Sequence, residues 1–294
     1  MNYKDKAKKL QLDYFAENNQ SEIEKKGRAQ NHWLQEKYAS EGMNFYSDYY
    51  IFENAKKSRG YKTDTPEWFM DTLRSQHIPF NIFIPFIEEK ELCISVFNKL
   101  LNISISKIID IKIEYPPAYQ NPLNDKTSFD AFISYETKNG KGIFGIEVKY
   151  TEGGYSLSET EKNHFPVYRK FTEKSGLYKN SNEEKLTVNK YRQIWRNHLL
   201  AYAYADKNNY NEFISLILYP KGNFHFVEAM KEYDAFINDK GKASLKGITY
   251  EVFIDTLIAK HNTNKQSKWI KYLIERYIVS EKEILLDRLK EAVK

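Results

Sequence analysis

Residues 127–151 constrain the fold most. Two arms of alternating apolar and polar residues, 127–136 and 142–151, flank Lys138-Asn139-Gly140-Lys141. An Asn-Gly pair between two such arms is the strongest short-range signal for a β-hairpin. Alternate residues of a strand face the same side. Phe144, Ile146, Val148 and Tyr150 therefore share one face of the second arm, and Ile143, Gly145, Glu147 and Lys149 the other. In the first arm Phe129, Ala131, Ile133 and Tyr135 oppose Ser128, Asp130, Phe132 and Ser134. Asp130 is thus flanked by apolar residues in a segment that should be largely buried, where a charge is costly unless it is paired or bound to a metal.

No repeat of solenoid period and no low-complexity segment surrounds the hairpin. Residues 1–58 carry many charges and few Gly or Pro, which predicts exposed helices. Gly60 and Thr63–Pro66 break the chain, with Thr65 a candidate N-cap ahead of Pro66. Pro79 and Pro85 bracket an apolar turn that leads into a helix over 86–101. The β-branched run Ile103–Tyr115 mixes helix and strand spacing, so a strand is expected only for its second half, before Pro116–Pro117. Residues 152–186 show no periodicity and read as a long excursion bearing Gly153-Gly154, Lys162, Arg169, Lys170, Lys174 and Lys179. A helix over 187–206 follows, then a buried strand at Phe213–Tyr219, a short strand at Asn223–Glu228 and a helix at Tyr250–Lys260 capped by Thr249. Ser280-Glu281-Lys282-Glu283 is a capping-box pattern that starts the last helix. The central order is helix, strand, strand, strand, helix, strand.

Cys93 is the single cysteine of 294 residues, which excludes a disulfide framework and a Cys-rich zinc module. The longest apolar stretches, Asn81–Ile87 and Phe213–Tyr219, fall short of the roughly 20 residues of a membrane helix. The amino end, MNYKDKAKKL, lacks the apolar stretch of a signal peptide, so the expectation is a cytoplasmic protein with no membrane partner. A net charge of +5 tolerates a polyanionic partner without requiring one. Aromatic residues make up 15% of the chain, led by tyrosine, which suits surfaces that are part apolar and part wet.

Gly140-Lys141-Gly142-Ile143-Phe144-Gly145 fits a dinucleotide fingerprint letter by letter, but its glycines enter a strand where that motif requires a helix. The six histidines have no metal-ligand spacing. The chemistry lies instead in an Asp on one hairpin arm with Glu-x-Lys on the next. Asp130 and Glu147 can hold one or two Mg²⁺ ions, which take oxygen ligands and keep water and substrate phosphate in the remaining positions. Such a metal acidifies a bound water and neutralises a scissile phosphate. Lys149 can orient that water or stabilise the developing oxyanion. The triplet alone means nothing, since it recurs at Glu24–Lys26, Glu88–Lys90, Glu136–Lys138 and Glu183–Lys185. An edge strand whose Glu and Lys are merely solvated is the bland alternative.

Residues 80–228 resemble the PD-(D/E)XK nuclease superfamily, whose core is an αβββαβ unit with a central mixed sheet flanked by helices. PFNIFIPF, SFDAFISYE, GIEVKYTE and QIWRNHLLA resemble its restriction-endonuclease-like branch. The resemblance makes Asp130, Glu147 and Lys149 the motif residues, with the Val148 carbonyl joining the metal shell. Phe129 stands where many members have Pro before the Asp. Gln193-Ile194-Trp195-Arg196-Asn197 is similar to a Q-x-x-R accessory motif. Gln193, Arg196 and Asn197 share a helix face by spacing. That face either points at the site, with Arg196 on phosphate and Gln193 orienting Lys149 or DNA, or is solvated. Glu89 is the candidate acid on the first core helix.

The resemblance implies a Mg²⁺-dependent DNA endonuclease, with Mn²⁺ able to substitute. Residues 79–230 would form the nuclease core, 1–78 an N-terminal helical extension and 231–294 a C-terminal helical region packed on that core. Cutting both strands at one locus is most simply done by a homodimer. A methyltransferase or defence-system partner stays open. The other readings are a module of the same fold that binds nucleic acid without catalysis, and a helical structural protein with an incidental hairpin.

Overall fold

A computed structural model describes residues 1–18, 32–59, 67–179 and 183–292. Gly60, Thr63–Pro66 with its Thr65 cap, and Glu24–Lys26 lie outside the described residues. The chain forms two compact units. One comprises Met1–Ile103, Pro220–Gly222 and Thr249–Lys294, and the other Ser104–Tyr219 and Asn223–Ile248.

Unit 1 is helical. Helix Tyr3–Asn18 is not simply exposed, because it buries Ala7, Leu10, Gln11 and Phe15 along one stripe. The helix expected over 86–101 is interrupted at Glu89, whose ψ of 51° separates Pro85–Glu88 from Lys90–Leu101. Helix Tyr250–Lys260 begins as expected, the Thr249 side chain accepting from the Val252 N–H. Helices Asn264–Tyr277 and Lys282–Ala292 follow, the last starting inside the Ser280–Glu283 tetrad. Arg276 is fully buried here and donates to Gln11 Oε1 at 2.9 Å and to Asn44 Oδ1 at 3.0 Å.

Unit 2 holds a five-stranded sheet in the order β1 (Ile105–Tyr115), β2 (Phe129–Thr137), β3 (Gly140–Val148), β4 (Glu212–Tyr219) and β5 (Leu245–Thr249). β1–β2 and β2–β3 are antiparallel and β3–β4 is parallel, so the sheet is mixed. Parallel strands need a long crossover. Residues 149–211 supply it, carrying helices Phe165–Ser175 and Arg192–Lys207. The helix–strand order read from the sequence is present along the chain, and the architecture is α/β, a mixed five-stranded sheet with helices, consistent with the restriction-endonuclease-like core that the resemblance implies.

Several elements differ from expectation for visible reasons. β1 is a strand over its whole length. Register shifts between Ile105 and Lys107 and between Ile108 and Asp110 put Ile105, Ile108, Ile111 and Ile113 inside, which is why the run mixes two periods. Asn223–Glu228 is not a strand: Asn223 caps helix Phe224–Tyr233, its side chain accepting from the Phe226 N–H, and Phe226, Ala229 and Tyr233 are buried at helical spacing. The helix expected from 187 starts at Arg192. The excursion is folded, with Glu159–Lys162, Phe165–Ser175 and Glu183–Leu186 helical. Thr172 accepts from the indole N–H of Trp195 at 2.9 Å, tying it to the core. β5 is an addition.

The glycines that imitate a dinucleotide fingerprint have structural reasons. Gly140 closes the hairpin at φ +122°. A Cβ on Gly145 would lie 2.4 Å from the Phe129 ring.

Candidate active site

Ala131–Ile146 is the last registered pair at the open end of the β2–β3 hairpin. The next step sets Asp130 opposite Glu147, and there a side chain takes over from the backbone. The Val148 N–H donates to Asp130 Oδ2 at 2.6 Å. Glu147 and Lys149, two apart on one face, meet as an ion pair with Lys149 Nζ 2.5 Å from Glu147 Oε1. Both are buried, at 8% and 6% exposure, so this is not a solvated edge. Lys149 continues the pairing one residue past β3, its N–H donating to the Leu218 carbonyl at 2.8 Å. The structure therefore brings Asp130, Glu147, Val148 and Lys149 together.

Burial works against the Lys149 ammonium, but the carboxylates of Glu147, Asp130 and Glu152 outweigh it and hold its pKa above the ordinary lysine value. The proton on Lys149 is thus secure at neutral pH. The Phe226 ring closes one side, 5.8 Å from Nζ.

Sequence reasoning missed three neighbours. Glu152 accepts from the Tyr150 N–H at 2.7 Å and adds to the field on Lys149. Asn223 donates to the carbonyls of Tyr150 and Glu152 at 3.0 and 2.8 Å, fixing the chain as it leaves the site. Glu114, at φ +55°, falls between the registered pairs Ile113–Ala131 and Tyr115–Phe129, hence opposite Asp130, and its carboxylate accepts from Ser128 Oγ at 3.3 Å. Glu152 was within reach as the last residue of GIEVKYTE. The other two depend on strand register and on a residue 71 positions from Glu152 in the chain.

The polar face read on helix Arg192–Lys207 divides. Gln193 is half-buried, and its side chain makes no hydrogen bond among the described residues. Asn197 is buried, and neither polar atom of its side chain has a hydrogen-bond partner among the described residues. Arg196 reaches Glu161 Oε1 from Nη1 at 3.4 Å, a carboxylate that also takes Arg192 Nε at 3.1 Å and the Tyr155 hydroxyl at 3.1 Å. Arg196 lines a cleft of about 470 Å³ with Tyr155, Lys126 and His164. Burial disfavours its charge, but Tyr155, Tyr168, Glu147 and Glu161 together raise its pKa. Glu89 lies in unit 1, where its carboxylate accepts from Tyr49 Oη at 3.1 Å and Gln266 Nε2 at 2.8 Å.

His164 beside that cleft spans two carbonyls, Nδ1 to Thr160 O at 2.8 Å and Nε2 to Asn124 O at 2.9 Å. Both can be satisfied only when both ring nitrogens carry protons. The Thr160 carbonyl, more than the Asn124 carbonyl and Asp125, raises the pKa against the opposing effect of burial. A raised folded-state pKa stabilises below the unfolded value and is lost as pH rises through the folded one. The urea midpoint of the wild type should exceed that of His164→Ala by more at pH 5 than at pH 8.5. An equal gap at both would remove the two-carbonyl clasp.

The donor set can be tested against a metal. Asp130 and Glu147 offer carboxylate oxygens only, with no thiol or imidazole, and the described residues contain no cluster of three His, Cys, Asp or Glu able to hold an ion. Two hard ligands fit Mg²⁺, which binds through one or two carboxylates and keeps its waters.

A family model of the PD-(D/E)XK nuclease superfamily matches residues 2–279, nearly the whole chain. The chain belongs to that superfamily. No curated protein and no solved structure matches it. As a PD-(D/E)XK nuclease its coarse class is a phosphodiester-cleaving hydrolase, and PD-(D/E)XK nucleases generally use divalent metals. No helix among the described residues of this PD-(D/E)XK chain is long and apolar enough to cross a membrane.

Proposed function

We propose that the chain is a Mg²⁺-dependent DNA endonuclease in which Asp130 and Glu147, with the Val148 carbonyl, hold the metal. The buried Glu147–Lys149 contact, with Asp130 bound to the backbone between them, is the observation that carries this reading. Bound there, Mg²⁺ would acidify a water and neutralise charge on the scissile phosphate. The Lys149 ammonium, held against Glu147, offers a positive charge to the attacking water or to the oxyanion. Asn223 and Glu152 set the path of the chain beyond Lys149. Gln193 orients Lys149 or DNA, and Arg196 supplies a donor to a phosphate oxygen. A homodimer acting on both strands follows from the two-fold argument. The buried free thiol of Cys93 fits the reducing cytoplasm, where we place the enzyme.

Supercoiled plasmid and phage DNA incubated with Mg²⁺, with Mn²⁺ and with EDTA test this directly. Nicking or linearisation with either metal, and none in EDTA, is expected. Cutting that survives EDTA would overturn the metal assignment. Intact DNA in every lane, bound equally with and without metal, would favour a binding module of the same fold.

A further inference from the structure

Unit 1 carries a cleft of about 580 Å³ between helix Tyr3–Asn18, the 41–53 segment and helix Asn264–Tyr277. Its size suits a nucleotide-sized ligand. Three of its rings cluster: Tyr46 lies 5.1 Å from Tyr272, and Tyr14 lies 6.2 Å from Tyr272. Tyr14, Tyr46 and Phe52 are half-exposed and line the cleft, Tyr14 with the Arg276 guanidinium 5.0 Å from its ring and Phe52 with Lys56 Nζ at 4.5 Å, which leaves Tyr46 as the ring for a ligand to stack on. Three carboxylates, Glu41, Glu53 and Glu275, and two ammoniums, Lys268 and Lys271, complete the rim. Lys271 faces Glu275 at 3.6 Å, whereas Lys268, one turn earlier, is exposed with no ion pair among the described residues.

The charges sort the candidate occupants. Carboxylates and ammoniums alternate on the rim, and Lys56 and Arg276 stand over the Phe52 and Tyr14 rings, so the cleft presents no field of one sign to draw in a polyanion whole. The same mixture of charges, with cations already standing over two of the rings, leaves no clear aromatic cage for a quaternary ammonium, the other ligand that aromatic walls select. A neutral flat ring with N–H donors satisfies both conditions, stacking on tyrosine while a carboxylate takes its amino hydrogens, and Lys268 can meet the phosphate outside.

We propose that this cleft binds a single unstacked nucleobase carrying an exocyclic amino group, with Lys268 on its phosphate. The proposal builds on the nucleic-acid reading above but is tested without cleavage. Titrating dCMP and dTMP into full-length Asp130→Ala protein should show dTMP binding about tenfold or more weakly, since it lacks the amino donor to a charged acceptor. Tyr46→Ala should weaken dCMP about tenfold through lost stacking, and Tyr46→Phe should bind as the parent does. Lys268→Glu should weaken dCMP and leave deoxycytidine unchanged. A single-stranded oligo(dC) binding more tightly than dCMP would identify a strand as the source, and equal affinity a free nucleotide. No binding of dCMP at millimolar concentration, equal binding of dTMP, indifference to Tyr46→Ala, or binding of choline in its place would overturn the pocket. If DNA is cut while dCMP fails to bind, the pocket alone falls. If DNA is never cut but dCMP behaves as described, the nuclease reading alone falls.

Discussion

Replacing Lys149 with Met is expected to destabilise the protein by about 3–5 kcal/mol, the cost of stranding a buried charge by removing its partner. Glu147 is 8% exposed and meets Lys149 at 2.5 Å, so the variant leaves a largely buried carboxylate without its cation. Adding Glu147→Leu to Lys149→Met should recover most of the loss, because a buried ion pair is replaceable by apolar side chains of similar size. Urea melts of the three proteins at pH 7.5 read both the loss and its recovery. A double variant as unstable as the single one would show that the pair does not interact as its geometry implies. The stable double variant should still be unable to cut DNA, separating the fold from the chemistry.

Asp130→Asn should lower cleavage about a thousandfold, as several kcal/mol of metal-borne charge stabilisation convert at about 1.4 kcal/mol per decade. Its amide oxygen can still accept from the Val148 N–H, which now meets Asp130 Oδ2 at 2.6 Å. The melting midpoint should therefore stay close to wild type. Asp130→Ala removes that acceptor as well and should lose about 1–3 kcal/mol besides its activity. Single-turnover cleavage with saturating Mg²⁺, beside a melt of each variant, distinguishes the two roles. Near-normal cleavage by Asp130→Asn would remove this residue from the metal site.

What was legible in advance is what depends on neighbours along the chain. The hairpin, its turn and the shared face of Glu147 and Lys149 follow from two-residue alternation, and the Thr249 cap from a local hydroxyl. β1 was half-read because its register shifts disguise a strand as a mixture of periods. Asn223–Glu228 was misread because Phe224 and Phe226 alternate like a strand, while Asn223, closing on the Phe226 N–H, starts a helix. Arg196 and Asn197 share a face by spacing, yet one is drawn to Glu161, 35 residues away, and the other is sealed in the interior. No local pattern records either fate. Glu114 was invisible for the same reason, being brought opposite Asp130 only by pairing across strands.

Chain order gives the two units different histories during synthesis. Unit 2 is an insertion: every residue from Ser104 to Ile248 except Pro220–Gly222 belongs to it. Its strands are all synthesised before the helices that complete unit 1. Gln11, which ends up against Arg276, waits for a partner 265 residues downstream. At about 5–20 residues per second, that wait lasts on the order of tens of seconds. Throughout it, helix Tyr3–Asn18, which buries Leu10 and Phe15 in the finished protein, lacks helix Asn264–Tyr277, on which it packs. The nascent protein would therefore have its sheet strands made early and be most vulnerable at helix Tyr3–Asn18.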